Sequence, residues 1–154
     1  MIRCVIEGRL PKSFGLARRE LRRAAQFFAA RSAAASGLEF HDIAVVLQDD
    51  GFSATTHAAI NGVAGPTDVT TQAYLPIPPE PPGVYGELYV NVDRAAAVAA
   101  KRASWPAQKE LLLYVAHGMD HLGGADDSLP GDRLRMRRRE LRWLREWERR
   151  KGVQ

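Results

Sequence analysis

The 154-residue sequence contains one cysteine, Cys4, which excludes an internal disulfide framework and a thiolate-built zinc site. It has no apolar run near the roughly 20 residues that a membrane-spanning helix needs, so no membrane partner is expected. The opening residues, Met1 to Glu7, lack the charged, then apolar, then small-residue order of a secretory signal. A cytoplasmic protein is the simplest expectation. Disorder is not expected either, because 45% of the residues are apolar and 26% charged, an ordinary globular balance. The length suits one compact domain over residues 1–154, able to bury a proper core.

Acidic residues are in short supply at one end only. Residues 131–154 carry ten Lys and Arg against four Asp and Glu, whereas residues 1–130 carry 12 against 14. The net charge of +4 therefore comes from the C-terminal segment. Such local concentration points to a polyanionic partner.

Periodicity and turn chemistry predict a first strand over 2–7 and an Ala- and Arg-rich helix over 17–35 ending near Gly37. A buried strand follows at Ile43 to Leu47, then a helix capped by Ser53 and running to about Asn61. Thr67 to Ala73 reads as extended, and residues 76–83, with five prolines, as a rigid surface connection. Val84 to Val92 is the clearest strand, and Asp93 is expected to cap a short helix to about Arg102. The next helix is expected to start at Ser104, with Pro106 in its first turn, and to stop at Gly123-Gly124. It is apolar nearly all round, as a buried central helix must be. A basic helix over about 131–150 completes a small mixed sheet packed with helices, one α+β domain.

The end of the central helix reads His117-Gly118-Met119-Asp120-His121-Leu122-Gly123-Gly124-Ala125-Asp126-Asp127. On a helix of about 3.6 residues per turn, positions four apart share one face. Two imidazoles so placed can grip one divalent ion, or they can be two hydrogen-bonded core histidines. Half of the four histidines in the chain fall in this pair, and a Gly-Gly reversal and two carboxylates follow at once. Asp126 or Asp127 can return an oxygen ligand to the same ion, leaving a fourth position for water. Asp120 reads as exposed or bonded to a ligand histidine. A zinc peptidase would carry a glutamate directly after the first histidine. That position is Gly118, so the peptidase reading is weak. His41 and His57 show no partners and read as core or surface residues.

This segment resembles the signature of the YbeY family of bacterial rRNA-maturation endoribonucleases, H-G-x-L-H-L-x-G-Y-D-H, at His117, Gly118, His121, Leu122, Gly124 and Asp126. Upstream, Pro66-Thr67-Asp68-Val69 resembles the family's P-T-D-V-L-S-F segment. Tyr85-Gly86-Glu87-Leu88 through Val92-Asp93-Arg94 resembles its L-G-D-I strand and the helix after it. The likeness covers about residues 40–127 in order. It implies a metal-dependent hydrolase that cuts single-stranded RNA, with one zinc ion per chain on His117, His121 and Asp127. Another divalent ion is an alternative. It also implies Thr67 and Asp68 as cleft wall, and an rRNA precursor and the ribosome as partners, with no DNA expected. Asp126, adjacent to the ligand loop, reads as the general base or as an ordinary turn aspartate.

Three departures accompany the likeness. The family's third metal histidine is Asp127 here, a harder and charged ligand that lowers Lewis acidity and favours harder ions. The arginine of the loop before P-T-D-V falls at Asn61, and L-S-F becomes Thr70-Thr71-Gln72. The competing reading is therefore a YbeY-like protein that binds RNA or the ribosome without cutting.

The basic helix divides at about 100° per residue. Leu134, Met136, Leu141, Trp143, Leu144 and Trp147 share one half, and Arg135, Arg138, Arg139, Arg142, Arg145, Arg149 and Arg150 the other. Arg133 and Arg137 are exceptions on the apolar half. Of Glu140, Glu146 and Glu148, only Glu146 lies within the arginine arc. The arginine half offers planar donors for phosphates, with Arg138, Arg142 and Arg145 as the RNA-binding candidates. A merely solvated basic face is the plain alternative.

Overall fold

Four short runs rich in β-branched and aromatic residues form the strands: β1 (Arg3–Glu7), β2 (Phe40–Gln48), β3 (Val69–Tyr74) and β4 (Val84–Asn91). In the computed structural model, which describes residues 1–152, they make one sheet in the order β1-β2-β4-β3. β1, β2 and β4 run parallel, and β3 returns antiparallel along β4. The helices are α1 (Arg18–Ser36), α2 (Asp50–Asn61), α3 (Val92–Ala99), α4 (Ala107–Leu122) and α5 (Pro130–Gly152), with a 3₁₀ turn at Lys12–Phe14. A mixed sheet with packed helices is the expected α+β arrangement. The last two positions of the expected 1–154 unit lie outside the described residues. Among the described residues no helix is long and apolar enough to cross a membrane.

Strand alternation decides which sheet face meets the helices. On β2, Ile43, Val45 and Leu47 are buried, and so is Phe40, three residues before Ile43. An irregular register between Phe40 and Asp42 resets the alternation and lets both reach the core. The helices α1 and α4 cover strands of this sheet, and α5 packs across α4.

The central helix α4 is buried as its composition predicts, with Leu111, Leu113, Val115, Ala116 and Met119 at 1% exposure or less. It approaches β4 closely because each element presents a glycine to a leucine of the other. A β-carbon on Gly118 would lie 2.5 Å from Leu88 Cδ2, and one on Gly86 would lie 2.9 Å from Leu122 Cδ2. The position that a zinc peptidase fills with glutamate is thus consumed by packing against the sheet. On the opposite flank, buried Ser32 of α1 donates from Oγ to Met119 O at 2.7 Å, a second bond to a carbonyl that also accepts from Gly123 N at 3.1 Å.

Three helix starts differ from expectation, two of them because two cap-type residues competed. Helix α2 begins at Asp50 with Asp49 as its cap, accepting from Phe52 N at 2.9 Å. Ser53 instead lies inside the helix, where its Oγ donates to Thr67 O and accepts from Thr67 N, both at 3.1 Å. Helix α3 is capped by Asn91, whose Oδ1 accepts from Arg94 N, while Asp93 accepts from Asp50 N. Ser104 has a positive φ of 61°, outside α4, which starts after Pro106.

Candidate metal centre and its cleft

His117 and His121 stand one turn apart at the end of α4, with their Nε2 atoms 3.1 Å from each other. What each ring does with its other nitrogen fixes its tautomer. His121 Nδ1 faces Ala125 O at 3.0 Å. A carbonyl can only accept, so Nδ1 carries the proton and Nε2 a lone pair. His117 Nδ1 lies 3.0 Å from both oxygens of Glu140, a carboxylate–histidine pairing of the kind that orients metal-binding imidazoles. With both rings neutral, the two Nε2 lone pairs lie on the same side of the helix, 3.1 Å apart.

The Gly-Gly reversal closes the cluster. Gly124 has a φ of 94°, open to glycine at no steric penalty, and its N–H donates to His121 O at 2.9 Å. The chain turns back and places Asp127 Oδ2 at 3.7 Å from His117 Nε2 and 3.6 Å from His121 Nε2. Among the described residues, His117, His121 and Asp127 form a group able to hold a metal ion. Spacings of 3.1–3.7 Å match the edge of about 3.4 Å in a tetrahedron with bonds of about 2.1 Å. The three side chains are 24%, 26% and 38% exposed, so the cluster is open to solvent.

Glu140 is the residue that sequence reading missed. It comes from α5, 23 positions after His117 in the chain, and is 1% exposed. Burial pushes its carboxyl pKa up, against the opposing hydrogen bond and charge of His117. For His117, burial works to lower the pKa, and the hydrogen bond and charge of Glu140, with Asp68 and Asp127 adding, reverse the sign to a raised value. Negative charge thus converges on this corner, which suits a cation. The one sequence signal for Glu140 is its place on the stripe 133, 137, 140, 144 and 147, where an acid has no reason to sit unless it has a partner.

Asp120 is neither exposed nor bonded to a ligand histidine. It is buried, and both its oxygens accept from Arg139 Nε and Nη2 at 3.0–3.2 Å. This forked pair pins α5 to α4 one residue before Glu140. Arg139 is thereby removed from the arginine face.

Asp126, expected as general base, is bonded within the turn. Its Oδ1 accepts from Ser128 N at 2.9 Å and its Oδ2 from Ser128 Oγ at 3.0 Å. Those two bonds, the backbone one foremost, hold its pKa below the usual carboxylate value. Exposed and committed to the turn before α5, it is a poor general base for the cluster.

A cleft of about 370 Å³ opens beside the cluster, lined by Asp68, Tyr114, His117, Asp127, Arg133 and Arg137 among others. Asp68 lines it, with Oδ1 accepting from Val69 N at 2.7 Å. Thr67 does not line it; its backbone is clamped to Ser53 and its hydroxyl donates to Asp68 Oδ1 at 3.3 Å. Leu134, expected to pack on the domain, is 58% exposed at the cleft edge. Arg138 and Arg145 are exposed, and Arg142 lies 3.9 Å from Glu146. These three point about 80–140° around α5 from Arg137, away from the cleft.

The other histidines have structural partners. His41 Nε2 bonds with Pro82 O and His57 Nδ1 with Gly65 O, both at 2.9 Å. Cys4 is buried, and burial pushes its thiol up to about 12, which silences thiolate chemistry.

Comparison with known proteins joins this geometry to a family. The profile described as Endoribonuclease YbeY matches residues 13–148. The Endoribonuclease YbeY of Roseiflexus sp. is 32% identical over 111 residues, covering 68% of this chain and 69% of that protein. Its counterpart in Anaeromyxobacter sp. is 32% identical over 138 residues, covering 88% and 67%. That of Rhodopirellula baltica is 42% identical over 77 residues, covering 49% and 38%, so the match spans well under half of that relative's length. A target protein from Thermotoga maritima, solved in solution, shares the fold with a TM-score of 0.57 at 22% identity, over 99% of this chain and 93% of that one. The chain belongs to the YbeY endoribonuclease family.

Proposed function

We propose that this protein is a metal-dependent endoribonuclease that cuts single-stranded RNA during rRNA maturation, acting in the cytoplasm on a ribosomal RNA precursor at the ribosome. The observation that carries the reading is the convergence of His117 Nε2, His121 Nε2 and Asp127 Oδ2 at the mouth of an open cleft. Imidazole nitrogens with a carboxylate oxygen suit zinc, one per chain. When bound, such an ion supplies Lewis acidity, which acidifies water and polarises a phosphoryl oxygen.

The chain's own residues do the rest. Glu140 and Ala125 O hold the two imidazoles in the tautomer that presents Nε2. Asp68 is the cleft carboxylate best placed to take a proton, because one oxygen is fixed by the Val69 amide and the other has no hydrogen-bond partner among the described residues. Arg138, Arg142 and Arg145 give the exposed flank of α5 an outer track for the phosphate backbone.

Incubating zinc-loaded protein with single-stranded fragments of an rRNA precursor tests this. Wild type is expected to cut them, and His117→Ala to be slower by about 100-fold or more. Binding without cutting by metal-loaded wild type would replace this reading with the non-cleaving one, which the absence of an arginine at Asn61 favours.

A further inference from the structure

We propose that Arg133 and Arg137 grip the RNA backbone inside the cleft, spanning consecutive phosphates beside the His117–His121–Asp127 cluster. The proposal rests on the RNA-cleaving reading above and names the residues that hold the substrate.

Both arginines line the same cleft as His117 and Asp127. They are four positions apart, one above the other on a single helix face. Their stripe continues through Glu140 at 1%, Leu144 at 1% and the partly buried Trp147. One face of α5 thus changes character along its length. Where it crosses the core it is apolar, where it meets His117 it carries the orienting carboxylate, and where it overhangs the cleft it carries two guanidiniums. That is why Arg133 and Arg137 stood out as exceptions to the segregation of the helix. The apolar half is the half facing the domain, and at its N-terminal end the domain offers a cleft instead of a core.

Like the exposed Arg138 and Arg145, Arg133 and Arg137 are free of carboxylates among the described residues, but unlike those two they line the cleft. Arg135 is held by Asp132, Arg139 by Asp120, and Arg142 lies near Glu146. Arg133 and Arg137 have no carboxylate partner among the described residues, although Asp68 and Asp127 line the same cleft. Charge balance gives them a task. Asp68, Asp127 and Glu140 would repel an incoming phosphate, and a divalent ion alone does not offset three carboxylates. The two guanidiniums lining the cleft make it net positive once an ion is held. Planar, forked donors are suited to phosphate oxygens. They also supply, from a different element, the cation that is missing at Asn61.

Anisotropy titration of a labelled single-stranded RNA oligonucleotide, at three salt concentrations and with zinc-loaded protein, tests the grip. Cleavage of the same oligonucleotide and metal content are measured alongside. The double variant Arg133→Gln with Arg137→Gln is expected to bind about tenfold or more weakly at low salt. Its slope of log K against log salt should flatten by about 1.4, at about 0.7 per phosphate on single strands. Metal content should not change, because neither side chain belongs to the ligand set. An affinity and slope equal to wild type would overturn the proposal even if wild type cuts the RNA, and failure of wild type to bind would overturn it too. A lost slope in the variant beside a wild type that binds without cutting would uphold the grip and reject the cleavage reading instead.

Discussion

Glu140→Ala is expected to weaken divalent-metal affinity by about 10- to 100-fold, read by competition against a chromophoric chelator. Glu140 never touches the ion site; it sets the ring that does. Both its oxygens face His117 Nδ1 at 3.0 Å, so its removal leaves a part-buried N–H without an acceptor and frees the imidazole to turn or switch tautomer. Glu140→Gln keeps an amide oxygen on that N–H and should recover most of the lost affinity. The two variants also separate orientation from folding. A buried carboxylate crowded by Asp120 is expensive to keep charged, so the metal-free Glu140→Gln variant should melt no lower than metal-free wild type. Equal metal affinity in wild type and both variants would mean that Glu140 does not orient the ligand.

The second large effect separates two adjacent aspartates. Asp127→Ala is expected to reduce zinc affinity by more than about 100-fold, since a direct ligand should exceed an orienting residue in weight. Asp126→Ala should change it little. The asymmetry follows from where the side chains point: Asp127 Oδ2 sits 3.6 Å from His121 Nε2, whereas both oxygens of Asp126 are taken by Ser128. Asp127→His should hold zinc at least as tightly as wild type, because imidazole is a common zinc ligand and the chain reversal at Gly123-Gly124 is unchanged. Equal losses from the two alanine variants would show that both carboxylates share the ion and that the turn rearranges on binding.

The pair of histidines was legible in the sequence because the spacing that joins them is local. Four residues on a helix put two side chains on one face whatever the rest of the chain does. The order of strands and helices was legible for the same reason, and so was the Gly-Gly reversal. Caps were harder, since Asp49 and Ser53 are both cap-type residues and only the docking of Ser53 onto Thr67 decides between them. Spacing alone left Asp126 and Asp127 both open; the family resemblance pointed to Asp127, and the turn brings that side chain to the histidines. Glu140 could not be placed at all, because its meaning depends on how α5 crosses α4, a crossing held by the Asp120–Arg139 pair and by Trp143 and Leu144 in the core. Arg133 and Arg137 were visible only as a blemish in a helical pattern, until the cleft beneath them gave the blemish a cause.

Metal stoichiometry bears most directly on the central claim that α4 and the turn after it build an ion site. Wild-type protein, purified without chelator, incubated with zinc and freed of excess by gel filtration, is analysed for metal per chain beside His121→Ala treated identically. About one zinc per wild-type chain and almost none per variant chain is the expected result. A wild-type chain that takes up no zinc, or a variant that retains it at one per chain, would contradict the account.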